Sequence, residues 1–596
     1  MAGEHDPGAL LERVPAWAIA AGLTAVLGLA YVIVAPASTD LAAAAYRSDL
    51  FSRVGFTLWD DSWYGGHHLP AYSVLAPALG AWLGPQLEAA LSAIAATALF
   101  ALLIEGRFPS RATRIAALWF ALGASIELLS NRIPFELGLA LGLGALLAAR
   151  APRGRYAIRG LALVLAVLCA LASPVAGAFL ALALLAWALA GPARAWPLGT
   201  ALAALVPVAL LVLAFPEGGA EPFVASAFYP ALGAVLAIAA AIFLAGRETG
   251  DGSTVATFPA GRETAGGSPT ASADGARVLL IGTLLYAAAL LGAFLIPTAV
   301  GGNADRLGAL FAGPLAACVL YPRRAPLLLV LAPFLLYWQV EAPIADYASA
   351  ASDPAVHASY YAPLLQELHV LGVGYSQRPA RIEVVPTRNH WEARWVAPHA
   401  MLARGWERQL DQDRDALFYD EAKDPLTAAR YRAWLSDEAI SYVALPDAPL
   451  DYSAKGEARL LRGEDRGVGG NAGGGGVRSG GAGGEGGTIP AYLREIWRSA
   501  HWRLFAVLGA QPLVQAPASM IALTTDSFTV SAPRAGAYAT RIRFTPYWAI
   551  LDGDGCVRQA PGGWTEVQAH RAGKMHVGID FTLERIFEHG PRCSPG

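Results

Sequence analysis

The sequence predicts an α-helical polytopic membrane domain followed by an extracytoplasmic region with an α/β part and a β-sandwich-like part. Three observations lead there. Only 15% of the 596 residues are charged and 55% are hydrophobic, whereas soluble globular chains carry about 25% charged residues. About eleven apolar stretches of near-spanning length crowd the first 340 residues. Beyond them the pattern changes to short β-branched and aromatic runs separated by Gly and Pro. A net charge of -3 offers no electrostatic attraction for nucleic acid, so no nucleic-acid partner is expected.

The apolar stretches run roughly through 16–36, 86–104, 115–130, 134–149, 161–173, 175–190, 198–215, 229–246, 278–297, 307–321 and 326–340. The polar start, "MAGEHDPGALLERVPAW", lacks a convincing small-residue cleavage site, so the first stretch is expected to be a retained span. Two stretches are short and meet at "ASPVAG" (172–177), a break tolerated where neighbouring protein or water satisfies the backbone.

Arginine placement sets the expected orientation. With the N-terminus in the cytoplasm, the inner loops hold Arg107, Arg111 and Arg114, then Arg150 to Arg159, Arg194, Arg247 to Arg277, and Arg323 with Arg324. The outer loops 216–228 and 298–306 hold only Arg306, and the longer first outer loop holds Arg47 and Arg53 among acids. The expected location is therefore a multi-pass plasma-membrane protein with residues 341–596 outside. On that side, a disulfide between Cys556 and Cys593 is allowed by the compartment. Cys169 and Cys318 fall in apolar stretches and read as packing residues.

The domain plan is a membrane domain at 1–340 with its first outer loop at 37–70, an α/β region at 341–462, a Gly-rich linker at 463–488 and a β-rich module at 489–596. "RIEVVP" (381–386) and "SYVALP" (441–446) read as buried strands, and "MLARGWERQL" (401–410) and "AARYRAWL" (428–435) as helices. "YLREIWRSA" after the linker also reads as helical, and the runs from "HWRLFAV" to "MHVGIDF" read as strands. The Gly/Ser/Thr-rich loop 247–277 reads as mobile.

Polar chemistry gathers in the first outer loop. "DLAAAAYRSDLF" has the spacing of a helix lying on the membrane surface. Asp40 begins it, either as the N-cap or as a base at the membrane–water boundary. Next comes "LWDDSWYGGHHLPAYS" (58–73). Asp60 and Asp61 suit a divalent cation, sugar hydroxyls or plain solvation. Trp59, Trp63 and Tyr64 suit an interfacial aromatic belt, and His67 with His68 suits a phosphate or a metal. Near the outer end of two spans, "SIELLSNRIPFELG" holds Glu127, Asn131, Arg132 and Glu136, with an Arg132–Glu136 pair permitted at i,i+4 spacing. "GGNADRLGA" holds Asp305, read as an N-cap, and Arg306. His390 and Glu392 in "NHWEARW" are expected to face outward, where they are available to an acceptor.

The segment "GFTLWDDSWYGGHHLPAYSVLAP", the acid after the first span and the layout of about a dozen spans with an outer domain resemble the GT-C superfamily of bacterial polytopic membrane glycosyltransferases. The resemblance implies a GT-C-like membrane domain and transfer of a hexose or pentose from a polyprenyl-phosphate donor to an envelope glycan, lipid or protein acceptor. It implies a carboxylate general base, here Asp40, Asp60 or Asp61. For the leaving lipid phosphate it implies cationic partners, for which Arg47, Arg132, Arg306, His67 and His68 are candidates, with Trp59, Trp63 and Tyr64 beside the substrate. A divalent cation is left open. The chain departs from the family pattern in lacking a paired-acid motif directly after the first span. Two other classes stay open: a transporter or flippase, which would place charges near the bilayer midplane in repeated halves, and a non-catalytic envelope scaffold.

Overall fold

The computed structural model describes residues 14–192, 194–247, 270–375, 378–419, 423–464, 489–587 and Cys593. Most of loop 247–277 and of the Gly-rich stretch 463–488 lies outside the described residues. The chain forms two compact units, one of residues 1–56 and 69–351, the other of residues 57–68 and 352–596.

The first unit is helical. In order, its helices are α1 (Ala16–Val34), α2 (Thr39–Val54), α3 (Ala76–Leu83), α4 (Pro85–Ile104), α5 (Ser110–Glu127), α6 (Ile133–Ala149), α7 (Tyr156–Ala172), α8 (Pro174–Ala190), α9 (Ala195–Ala214), α10 (Ala225–Arg247), α11 (Thr270–Leu295), α12 (Arg306–Leu320) and α13 (Ala325–Ala351). A helix lies at each apolar stretch read from the sequence. Seven helical segments are long and apolar enough to cross a membrane, and α6, α7 and α8 are shorter apolar helices. Interfaces between them are lined with alanine and glycine, which let helix backbones approach closely where hydrophobicity alone gives no driving force. At Gly138 on α6 a Cβ would come within 2.7 Å of the Ala176 Cβ on α8, so only glycine fits that crossing.

Two boundaries differ from the sequence reading. The last apolar helix does not stop at 340 but continues to Ala351, carrying Asp346 with it. The first outer loop is not one element. Residues 39–54 form α2, much of whose surface is buried within the first unit, while residues 57–68 belong to the second unit.

The second unit holds α14 (Ala358–Val370), α15 (Glu392–Trp395), α16 (Arg408–Arg414), α17 (Ala428–Asp437) and α18 (Lys455–Arg462). A short hairpin comes from residues 57–68, with β1 (Trp59–Asp60) antiparallel to β2 (His67–His68). A five-stranded sheet has the order β4-β3-β5-β7-β6, built from β3 (Arg381–Val384), β4 (Met401–Leu402), β5 (Ile440–Pro446), β6 (Leu493–Arg498) and β7 (Trp502–Val507). β4, β3 and β5 run parallel; β7 is antiparallel to β5, and β6 to β7. Its buried side packs Val385, Tyr431, Leu435, Val443, Leu461 and Phe505.

Three expectations are corrected here. "YLREIWRSA" is a strand, because Leu493 to Arg498 completes the sheet edge against β7. "MLARGWERQL" is a short strand, a loop and only then a helix, because Met401 and Leu402 pair with β3. The Gly-rich stretch does not separate an α/β region from a β module: it interrupts one sheet, between α18 and β6.

The remaining strands are β8 (Ser519–Leu523), β9 (Ser527–Ala532), β10 (Gly536–Arg543), β11 (Trp548–Asp552), β12 (Gly555–Gln559), β13 (Trp564–Ala569) and β14 (Gly573–Ile579). They form a three-stranded sheet, β10-β13-β12, and a four-stranded sheet, β11-β14-β9-β8. Alternation in "SFTVSA" buries Phe528, Val530 and Ala532, which join Ile542, Val567 and Val577 in one core. A disulfide joins Cys556 to Cys593.

The hairpin of residues 57–68 threads into this unit. Trp59 is buried in the sandwich core and Trp63 is fully enclosed. The Asp61 amide donates to the Thr525 carbonyl at 2.8 Å, the Leu402 amide donates to the Ser62 carbonyl at 2.8 Å, and the Arg543 amide donates to the Gly65 carbonyl at 2.7 Å. One short segment thus bonds to both the α/β sheet and the sandwich. Gly66 sits at φ 118°, and a Cβ there would meet the Trp59 ring at 2.2 Å, so the tight return from β1 to β2 requires glycine. Trp59→Ala removes a core indole and is expected to cost about 3–5 kcal/mol. Limited proteolysis of the purified protein, read at fragments from residues 352–596, checks it.

Candidate functional site

In the first unit, one end of the helical bundle carries a cluster of paired ionisable residues. Arg132 lies in the turn between α5 and α6 and is the hub. Its Nη1 donates to Glu127 Oε1 at 3.0 Å, its Nη2 reaches Asp346 Oδ2 at 3.4 Å, and its Nε lies 3.4 Å from Asp40 Oδ2. Burial opposes the charge of Arg132, but Glu127, Asp40 and Asp346 outweigh it and raise its proton affinity above the ordinary arginine value. The Asp40 side chain is 22% exposed and that of Asp346 34%, so the cluster opens outward past these two carboxylates. Desolvation, aided by Asp346 and Glu127, raises the Asp40 pKa above the ordinary carboxylate value in spite of Arg132 and Arg306.

The backbone that presents Arg132 is held by a polar knot. Asn131 adopts φ 57°, a left-handed conformation that asparagine tolerates. Its Oδ1 accepts from the Tyr31 hydroxyl at 2.5 Å, and its Nδ2 donates to Ser38 Oγ at 3.1 Å. Ser38 Oγ donates to the Ser130 carbonyl at 2.9 Å and accepts from the Leu41 amide at 3.3 Å. Ser130 Oγ in turn donates to Asp346 Oδ2 at 2.7 Å. The N-cap of α2 is therefore Ser38, not Asp40, which frees the Asp40 carboxylate to face Arg132.

Two other expected pairings are also replaced. Arg132 does not pair with Glu136, because Pro134 begins a new helix that turns Glu136 inward, where its carboxylate is buried without a hydrogen-bond partner among the described residues. Asp305 makes no capping bond to α12; it accepts from the Trp338 indole at 3.0 Å. Burial raises Asp305 to about 6 against that hydrogen bond. Arg306, next in the chain, lies 5.5 Å over the Phe135 ring.

Phe135 and Leu307 line one end of an apolar cavity of about 850 Å³. The cavity follows α6 along its whole length, past Leu139, Leu143 and Leu146, to Arg150. Seventeen residues of helix span about 25 Å. Through Arg306 over Phe135, the cluster of Asp40 and Arg132 thus neighbours one of the residues that line this cavity.

The other residues singled out in the sequence lie elsewhere. Arg47, on α2, is buried and stacks 4.1 Å over the Tyr72 ring. Asp60, Asp61, Trp59, Trp63, Tyr64, His67 and His68 all sit inside the second unit, each buried. The interfacial-belt reading of the three aromatics and the solvated reading of the acids are corrected by that burial. Asp61 Oδ1 accepts from the Trp59 indole at 2.6 Å, and Asp60 Oδ1 accepts from the Ser62 amide at 2.9 Å. Burial raises Asp61 well above the ordinary carboxylate value, against the Trp59 hydrogen bond and with Asp60 adding to it. His67 stacks on Trp63 at 5.2 Å with its Nε2 4.0 Å from Glu407 Oε1, and His68 Nε2 lies 2.9 Å from Thr545 Oγ1. Among the described residues no group of three or more His, Cys, Asp or Glu is placed to hold a metal ion.

His390 and Glu392 do not face outward. The His390 ring is enclosed, with Nδ1 3.2 Å from Glu392 Oε1 and Nε2 3.6 Å from Asp451 Oδ2. Arg408 also grips Asp451, at 2.7 Å.

The sequence reading missed Asp346, Tyr31 and Ser130. Asp346 carried a legible signal: Gln339, Pro343 and Ala350 recur at helical spacing and are buried, and Asp346 falls on that stripe.

No family model matches the sequence, and no curated protein matches it. Two solved structures of the arabinofuranosyltransferase AftD from mycobacteria are similar to this chain. Their TM-scores are 0.46 and 0.42, at 18% and 17% identity, and each match covers 84% of this chain. The chain spans 42% of the length of each of those proteins.

The pair of carboxylates around His390 makes a pH prediction. Burial alone would lower its pKa, but Asp451 and Glu392 reverse this and raise it to about 9. A raised cationic group contributes stability fully below its unfolded value of about 6.5 and loses it as pH climbs through the folded value. The second unit should lose on the order of 3 kcal/mol between about pH 6.5 and 9. Denaturant titrations across that window should show a steeper loss in the parent protein than in His390→Gln, which keeps only the slope from other buried groups such as Glu457.

Proposed function

We propose that the chain is a membrane glycosyltransferase, of the GT-C kind its sequence resembles, that moves a sugar from a polyprenyl-phosphate donor to an envelope acceptor. One observation carries this reading: Asp40 lies 3.4 Å from Arg132 Nε, and Arg306, which acts on the same carboxylate, stands 5.5 Å over the ring of Phe135, a residue that lines the apolar cavity. A lipid-linked sugar phosphate has the matching parts, an apolar chain for the cavity mouth, an anion for the guanidiniums and an anomeric carbon near the carboxylate.

In this mechanism Asp40 takes the proton of the acceptor hydroxyl as its oxygen bonds to the anomeric carbon, and the bond from that carbon to the phosphate oxygen breaks. The departing lipid phosphate keeps the electron pair and is met by Arg306 and Arg132 through charge-assisted hydrogen bonds. The elevated proton affinity of Asp40 suits a base that must accept a proton near neutral pH. Asp346, bonded to Ser130, and Glu127 hold Arg132 in place. Asp60 and Asp61 are assigned to holding the 57–68 hairpin, not to the reaction. The Cys556–Cys593 disulfide favours an oxidising compartment for the second unit.

The test offers purified protein radiolabelled decaprenyl-phosphate pentoses and hexoses with a cell-envelope glycan acceptor. Asp40→Asn is expected to lower kcat by about 10²–10⁴ while leaving a monodisperse, folded protein. The acid limb of kcat/KM in the parent should lie above the ordinary aspartate value of about 3.9. Unchanged transfer in Asp40→Asn, or flipping of the donor without sugar transfer, would overturn the assignment.

A further inference from the structure

The cavity has a second charged end. Where α6 stops, about 25 Å along the helix from Arg132, Arg107 and Arg150 line the same apolar space. Both guanidiniums converge on one acceptor: Arg107 Nη1 donates to the Leu103 carbonyl at 2.7 Å and Arg150 Nη1 to the same oxygen at 2.9 Å. Neither has a carboxylate partner among the described residues, although Glu105 lines that end as well. Two cations pressed together without a counter-ion repel each other. Partial burial, and then Arg107 beside it, lower Arg150 to about 10. Among the described residues this pair is short of an anion.

We infer that the Arg107–Arg150 end of the cavity is a binding site for an anionic phospholipid, with its phosphate on the two guanidiniums and one acyl chain running into the cavity. Charge complementarity commits the site to an anionic headgroup. The apolar lining commits it to a chain: beyond the arginines the walls are Leu143, Leu146, Phe179 and Ala183, with no charged group until the far end. Arginine forks match phosphate oxygens with paired N–H groups, whereas the quaternary amine of a zwitterionic headgroup is repelled. Basic residues at a membrane surface commonly attract anionic lipid. Here a shared acceptor oxygen and a cavity leading away from it turn that general attraction into a defined seat. This site lies at the opposite end from Asp40 and does not rest on the transferase reading.

The experiment uses delipidated full-length protein in detergent and native mass spectrometry. The probes are phosphatidylglycerol, phosphatidylcholine of the same chain length, and glycerol phosphate. Phosphatidylglycerol is expected to bind in preference to phosphatidylcholine, and Arg107→Gln with Arg150→Gln is expected to weaken it by about thirtyfold. Ala183→Phe, which fills the cavity without touching the arginines, is expected to weaken it too, and this variant keeps the test open if the double arginine variant does not fold. Asp40→Asn should bind phosphatidylglycerol normally, so a failed transfer assay and a failed lipid assay are separable. Equal binding of both lipids, or binding indifferent to the arginine changes, overturns the site. Glycerol phosphate binding that matches phosphatidylglycerol and ignores Ala183→Phe overturns the acyl-chain half and leaves a free-anion site.

Discussion

The guanidinium of Arg132 holds the carboxylates of Asp40, Glu127 and Asp346, which come from α2, α5 and α13. These helices are far apart in the chain, and nothing in their apolar surfaces dictates how their ends meet. One cation in a partly desolvated place dictates it, because each carboxylate left without Arg132 would carry a large desolvation cost. The rest of that end follows. Asn131 takes its left-handed turn so that Arg132 can point at all three acids, and Tyr31, Ser38 and Ser130 lock that turn with side-chain hydrogen bonds. The same geometry leaves Asp40 at the open side of the cluster, its proton affinity raised, with a cation beside it.

The second unit depends on a different constraint. Twelve residues of the chain, 57–68, are separated in sequence from everything else in that unit, yet they carry two wholly buried tryptophans. Arg381 lies against the same hairpin. It is fully buried, bonds to Glu438 at 3.0 Å, lies 5.6 Å from the Trp564 ring centre, and its Nη2 stands 2.6 Å from where a Cβ on Gly65 would be. The sandwich strand β10, through Arg543, and Glu438, which caps the C-terminus of α17, meet at this point with a 2.6 Å ion pair. A segment rich in Asp, His and Trp is thus consumed by packing and by satisfying its own buried polar groups.

The long cavity links the two readings of the helical unit. Its apolar walls come from small and branched residues on α6, α8, α11 and α12, where alanine and glycine permit tight crossings at some levels and leave space at others. Arg107 and Arg150 line one end of it, and Arg306 stands over Phe135, which lines the other. Hydrocarbon alone gains nothing by leaving the bilayer for an equally apolar cavity, so the polar groups near its ends are what could select an occupant.

Much of the helical unit was legible from residue order alone. Runs of Ala, Leu and Val near twenty residues long have no alternative to helix in an apolar environment, where every backbone group must bond within its own segment. Strands such as "SFTVSA" announced themselves through alternation, and the cluster around Glu127, Asn131 and Arg132 stood out because charge is scarce in such a region. Partner choice was beyond reach. Whether Arg132 takes Glu136, four residues on, or Asp346, more than two hundred residues away, depends on which side chains the folded helices bring within 4 Å. Likewise, local composition marks "LWDDSWYGGHHLP" as chemically rich, but burial is a property of what packs around it, and those neighbours lie more than three hundred residues later in the chain.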